Sequence, residues 1–217
     1  MASKSLMLSL GGLGAGGVGV GGLLATKPWE SKKVTFSDKY KHAILDTAKD
    51  DDIWGRKYTS LKATKPKHPK LIQAYTEATK QPPENEQEAK RLLKEGCKAI
   101  YESPFEDSEY KNDFKSYCSK TNLDASPNQT WNSESTDNSS SNKWDTALSS
   151  LKSHDINTKG SLVEVLVTLK SSIQSKETFE KANRDSLKGW CEGVKVEIFM
   201  GSDSAEFKNQ ELYCKGS

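Results

Sequence analysis

The sequence predicts an all-α protein in which an N-terminal glycine-rich transmembrane helix precedes two divergent copies of a small helical unit. Three observations predict it. Twenty consecutive uncharged residues run from Leu6 to Ala25. Blocks of residues then recur in the same order in the two halves of the remaining chain, the mark of an internal repeat. Within those blocks the apolar residues fall at i, i+3, i+4 and i+7, which is the period of one helix face.

Twenty helical residues rise about 30 Å, enough to cross the hydrocarbon core of a bilayer. Lys4 precedes the run, and Lys27, Lys32 and Lys33 follow it. Gly12 and Gly16, then Gly17 and Gly21, stand four apart, the small-xxx-small spacing that lets membrane helices approach closely. Residues 1–26 are therefore read as a membrane anchor, with the lipid bilayer as partner, and 27–36 as a tether in which Trp29 takes an interfacial place. A cleaved secretory signal is the competing reading, although Leu23-Leu24-Ala25 makes a poor small-x-small cleavage site. Gly14-Ala15-Gly16-Gly17-Val18-Gly19 also spells the dinucleotide fingerprint GxGxxG. It lies inside the apolar run, without a preceding strand, so it carries no nucleotide chemistry.

Beyond the tether, the Trp54 block Trp54-Gly55-Arg56-Lys57-Tyr58-Thr59-Ser60-Leu61-Lys62 lines up with Trp144-Asp145-Thr146-Ala147-Leu148-Ser149-Ser150-Leu151-Lys152. Leu93-Lys94-Glu95-Gly96-Cys97 lines up with Leu187-Lys188-Gly189-Trp190-Cys191, and Glu109-Tyr110-Lys111-Asn112 through Tyr117-Cys118 with Glu206-Phe207-Lys208-Asn209 through Tyr213-Cys214. Residues 37–118 thus form helical repeat 1 and 143–217 helical repeat 2. Residues 119–142, rich in Ser, Asn and Thr, have too little apolar surface to offset the entropy of ordering and read as a flexible linker.

In repeat 1, Tyr40, Ala43, Ile44 and Ala48 predict a first helix. Trp54, Tyr58 and Leu61 predict a second, beginning after Asp52 as its cap. Lys62, Lys65, Lys67 and Lys70, with Pro66, His68 and Pro69, read as a basic loop. Ala89, Leu92, Leu93, Gly96, Cys97, Ile100 and Tyr101 make one face of a helix over 85–102, which Ser103-Pro104 stops. Tyr110, Phe114 and Tyr117 predict the last helix. In repeat 2, Val163–Ile173 and Phe179–Cys191 follow the same period. Val194–Ile198 alternates like a strand, but its counterpart in repeat 1 does not, and it is assigned as helix or irregular.

Composition limits what such units can do. The chain has 217 residues, 34% hydrophobic and 29% charged, with a net charge of +2. Leu, Ile, Val and Phe number 40, of which eight belong to the anchor, leaving 32 for two repeats and a linker. Cores this thin in units below about 80 residues need a crosslink, a neighbour or a partner. The four cysteines, Cys97 and Cys118, Cys191 and Cys214, occupy equivalent places in the repeats. A disulfide in each repeat is one reading, worth about 2–4 kcal/mol. Against it, a straight helical hairpin would leave Cys97 and Cys118 about 12 Å out of register. Buried free thiols are the other reading. Disulfides would place the body outside the cell; the lysines after the anchor favour a cytoplasmic body.

No metalloprotease, hydrolase, P-loop or kinase motif occurs, so the chain is read as having no catalytic site, no cofactor and no metal. Asp50-Asp51-Asp52 is a capped turn, because an ion-binding loop would need alternating ligands and a closing Glu. Near-neutral charge argues against nucleic acid as a partner.

The Gly-rich LGGLGAGGVGVGGLL segment, with the Trp-x3-Tyr-x2-Leu-Lys and Leu-Lys-x-x-Cys blocks, resembles the large paralogous, uncharacterised membrane-anchored protein families of haemotropic mycoplasmas. The resemblance covers most of the chain and its motifs are structural. It implies a protein of a wall-less bacterium that sits at the cell surface as an interaction or antigenic protein, with a host or self protein as partner. Two alternatives stand beside it: a cytoplasm-facing membrane scaffold and an anchored hydrolase.

Overall fold

Thr35 opens the folded body by exchanging hydrogen bonds with Asp38, its hydroxyl accepting from the Asp38 N–H while the Asp38 carboxylate accepts from the Thr35 N–H. This capping box starts helix α1 (Phe36–Lys39). The computed structural model describes residues 33–81, 85–126, 130–137 and 141–216. The membrane segment, with Gly12, Gly16, Gly17 and Gly21, lies outside the described residues. Among the described residues, no helix is long and apolar enough to cross a membrane.

The helix expected over Tyr40–Ala48 does not form. After α1 the chain turns, Ile44 pairs with Ser119 in an isolated antiparallel bridge, and the Asp46 carboxylate accepts the Ala48 N–H at 2.8 Å. Asp50 in turn accepts the Asp46 N–H at 2.7 Å. These local bonds to carboxylates compete with helical ones. Helix α2 (Asp51–Ala63) then starts with Asp50 as its N-cap residue, placing Asp51 and Asp52 in the first turn, at the positive end of the helix dipole, rather than ahead of the helix.

The presumed basic loop is also shorter than expected. Lys62 belongs to α2, and Pro69 occupies the first turn of helix α3 (Pro69–Thr79), which buries Leu71, Ala74 and Ala78. What remains of the loop is held by Asp113, buried, whose Oδ2 accepts the Lys67 and His68 N–H groups at 2.8 and 2.6 Å. Helix α4 (Glu86–Glu102) runs as its apolar face predicts, with Asn85 accepting the Glu88 N–H as cap. Helix α5 (Lys111–Asp113) widens into a π-helical turn over Phe114–Cys118.

Copy two follows a related plan: α7 (Lys143–Lys152), α9 (Glu164–Ile173), α10 (Lys181–Val194) and α11 (Ala205–Tyr213) correspond to α2, α3, α4 and the α5–π-helical segment, while α8 (Ile156–Lys159) has no counterpart in copy one, and a short α6 (Asn122–Ala125) precedes them. Three polar contacts recur at matching places. The Trp54 indole donates to the Asp46 carbonyl at 3.0 Å, and that of Trp144 to the Glu134 carbonyl at 2.9 Å. The Tyr117 hydroxyl donates to the Thr64 carbonyl at 2.8 Å, and the Tyr213 hydroxyl meets the His154 ring. Ile44 bridges to Ser119, and Trp131 to Lys215.

These contacts correct the boundary at 119–142. The described part of that segment is not a flexible linker. Residues 130–137 form the opening stretch of copy two, equivalent to the stretch before α2, and α6 joins the two copies. Composition misled because the segment is ordered by polar groups rather than apolar burial. Asn122, Ser126, Asn132 and Thr136 are all buried, and the Asn142 side chain caps α7 while donating to the Ser135 carbonyl at 2.8 Å.

Each copy has its own core, one around Trp54, Leu61, Leu93 and Phe114, the other around Trp144, Leu148, Leu166 and Tyr213. Lys33–Ser217 nevertheless folds as one compact unit. The Asn122 and Leu123 N–H groups donate to the Glu197 and Lys195 carbonyls, each at 2.9 Å, and the Phe199 N–H to the Lys120 carbonyl at 3.0 Å. The stretch that alternates like a strand in sequence is thus the end of α10, a turn, and a single bridge from Ile198 to Thr121. It lies against copy one, with Ile198 packed on that core.

Candidate interaction surface

The two copies act as controls for one another. Leu71, Ala74 and Ala78 are the buried residues of α3, and Leu166, Leu169 and Ile173 those of α9, with the same 3, 4 spacing. In copy one, a Cβ placed on Gly96 of α4 would lie 2.6 Å from Leu71 Cδ2, so α3 and α4 are packed flush. The equivalent residue of α10 is Trp190, half-buried against the copy-two core. An indole cannot occupy the space of a glycine hydrogen, and α9 packs less closely on α10 than α3 does on α4.

The outward faces differ in charge. In copy one, Lys70 pairs with Glu95 at 2.9 Å, and Lys80 pairs with Glu77. The same alignment replaces Lys70 by Val165, Glu77 by Ser172, Lys80 by Ser175 and Glu95 by Gly189. Val165 and Val167 are 57% and 48% exposed, and Ile156 on α8 is 62% exposed. From Val165 to Ser175 only Lys170 is charged, and it is turned inward to donate to the His154 carbonyl.

Grooves flank α9 on both sides. One, of about 450 Å³, is lined by Val165, Thr168, Leu169, Ser172 and Ser186, with Glu164 at its edge. The other, of about 700 Å³, includes Ile156, Leu162, Val167, Lys170 and His154. His154 is committed to structure: its Nδ1 meets the Tyr213 hydroxyl and its Nε2 lies 2.8 Å from the Gly160 carbonyl. Asp155 caps α8, and the Asn157 N–H, with help from the Thr158 hydroxyl, holds its carboxyl below the usual carboxylate range. Between Glu164 and Asp155 at its edges the face therefore offers apolar contact and hydroxyls. An exposed apolar patch depleted of charge is the signature of an interface core.

The cysteines are brought together in pairs. Cys97 and Cys118 are joined with a Cα separation of 5.2 Å, Cys191 and Cys214 with 5.5 Å. The register mismatch of a straight hairpin does not arise, because the chain leaves α4 at Glu102, turns through residues 103–110 and returns as the π-helical turn that carries Cys118. Among the described residues, no three His, Cys, Asp or Glu side chains are grouped so as to hold a metal ion. The α9 face escaped sequence reading, although its signal was present: the stretch from Val165 to Ser175 has one charge in a chain that is 29% charged. Comparison with protein-family models, with characterised proteins and with solved structures finds no match for this chain.

Proposed function

We propose that the protein is a membrane-anchored, surface-displayed interaction protein that docks another protein on the α8–α9 face of its second copy. The observation that carries this reading is the loss of charge from that face relative to the solvated α3 of the first copy. The occupant is a protein presenting an apolar, sparsely charged patch, since burying a charge against Val165 and Val167 without a counter-charge would be costly. The Gly-rich segment 6–25 supplies the anchor. The two disulfides support an extracellular body, because such bonds persist in oxidising surroundings. The resemblance to the mycoplasma surface families agrees with this.

A photo-crosslinking amino acid placed at Val167 in intact cells, compared with one at the solvent-facing Lys98 of α4, tests the docking face. Val167 should yield a discrete protein adduct that Val165→Glu suppresses, and Lys98 should not. External protease on intact cells tests the display, and should digest the body. Survival of the body together with four free thiols would sink the surface reading and favour the cytoplasmic scaffold, which the lysines after the anchor support.

A further inference from the structure

A hollow of about 530 Å³ opens where α2 and the π-helical turn meet the junction of the two copies, with Lys57, Ser60, Thr64, Lys115, Ser116 and Val196 on its wall. We propose that it binds the phosphate monoester of a small polyol. Lys57 is the decisive residue. Its side chain is only 8% exposed, yet its ammonium makes no hydrogen bond among the described residues; its ion-pair partner, Asp124 Oδ2, stands 3.7 Å away. That carboxylate is already engaged. Its Oδ1 accepts from Arg56 at 3.2 and 2.6 Å, and its Oδ2 accepts from the Thr121 N–H and hydroxyl at 3.0 and 2.9 Å. One carboxylate thus answers two cations, and a buried ammonium left so incompletely satisfied calls for an anionic acceptor.

Copy two supplies the control. There Ala147 takes the place of Lys57 and packs on its own core, so the fold does not require a lysine at this position. Counted back from the Tyr-Cys pair, the counterparts of Lys115 and Ser116 are Glu211 and Leu212, so the repeat does not dictate this wall either. The lining of the hollow carries two lysines and no carboxylate. Lys115 is shared with Glu197 at 2.8 Å, which leaves Lys57 as the main anchor for the anion. The Ser116 hydroxyl finds no partner among the described residues and can donate to a phosphate oxygen. Ser60 gives its proton to the Arg56 carbonyl and keeps lone pairs for a ligand hydroxyl. The volume lies within the usual range of small-molecule sites, about 300–1,000 Å³, and leaves room beyond a phosphate group. Tyr117, only 4% exposed, offers no ring face on which a base could stack, which favours a polyol over a nucleotide.

The test is calorimetric titration of the full chain in detergent at low salt, disulfides intact, with glucose 6-phosphate, inorganic phosphate and glucose. Glucose 6-phosphate should bind saturably at one site, inorganic phosphate more weakly, and glucose not at all. Lys57→Met, which keeps the apolar stem and removes the charge, should weaken glucose 6-phosphate about tenfold. Ser116→Asp, an exposed change that sets a carboxylate in the wall, should abolish binding while the circular dichroism stays unchanged, and it decides the matter if Lys57→Met does not fold. Absence of saturation, equal binding of inorganic phosphate or of glucose, or unchanged affinity in either folded variant overturns the proposal and leaves Lys57 as a bridge to Asp124 alone.

Discussion

Gly96 has no room for a side chain, and this one hydrogen sets the distance between α3 and α4. Its missing Cβ would also approach Lys70 Cβ at 3.2 Å, so neither neighbour can move without shifting α3. Gly96→Ala should destabilise the body by about 1–3 kcal/mol through overpacking, read as a lower urea midpoint with an unchanged slope. Asp124 offers a pH-dependent counterpart. Burial alone would raise its carboxyl. The Thr121 N–H, Arg56 at 2.6 Å and Lys57 at 3.7 Å outweigh that and hold it below the usual range. Lys57 is itself lowered by burial, with Arg56 adding to the effect and Asp124 opposing it. A carboxyl depressed in the fold contributes stability in full above its unfolded value of about 3.9 and loses it as the pH falls through the lower folded value. Asp124→Asn should therefore cost about 1–3 kcal/mol at pH 6, and its difference from wild type should shrink as the pH is lowered to 3. A difference independent of pH would show that the charge of Asp124 is not what matters.

At the scale of elements, the disulfides tie the long helix of each copy to its last turn: α4 to the π-helical turn, α10 to the end of α11. Each closes a loop of similar length, with sequence separations of 21 and 23. Replacing Cys97 and Cys118 together by serine should cost about 2–4 kcal/mol, measured as a drop in the thermal midpoint under non-reducing conditions. The α9 helix behaves in the opposite way. Its outward residues touch little of their own fold, so Val165→Glu should leave the urea midpoint within about 0.5 kcal/mol of wild type while removing the adduct formed by the crosslinker at Val167. A large loss of stability would make the face part of the fold rather than a docking surface.

Across the whole molecule, the two cores are joined through α6 and the 195–199 stretch, and the joint is polar at Asn122 and apolar at Ile198. Gln210, buried in α11, donates to the Asn122 carbonyl at 3.2 Å, and Ser126 donates to Glu211 at 2.7 Å, so copy two also grips the connecting segment. Calorimetry of the folded body should show one cooperative transition. Ile198→Ala should lower that single midpoint, by about 1–3 kcal/mol of stability, without splitting it. Two separate transitions in the wild-type protein would mean that the copies unfold independently.

Much of this architecture is legible along the chain. The α4 and α10 faces, the equivalent places of the cysteines and the recurring tryptophans follow from helical period and self-similarity, because both are set by residues close in sequence. The misreadings share one physical cause. The stretch 40–48 has a helical apolar pattern, yet Asp46 and Asp50 bind its backbone locally and Phe36 and Tyr40 pack on Phe105 and Phe114. The polar segment 119–142 looks like a linker until its amides and hydroxyls find carbonyl partners on other elements. The sequence by itself determined the all-α class, the repeat and which cysteines and tryptophans correspond. Only the tertiary structure decided where each copy begins, how Cys118 returns to Cys97, and that Val165 and Val167 of α9 are left exposed where Lys70 of α3 is ion-paired. Those outcomes depend on partners distant in sequence, and period and composition carry no record of which partner a polar group will meet.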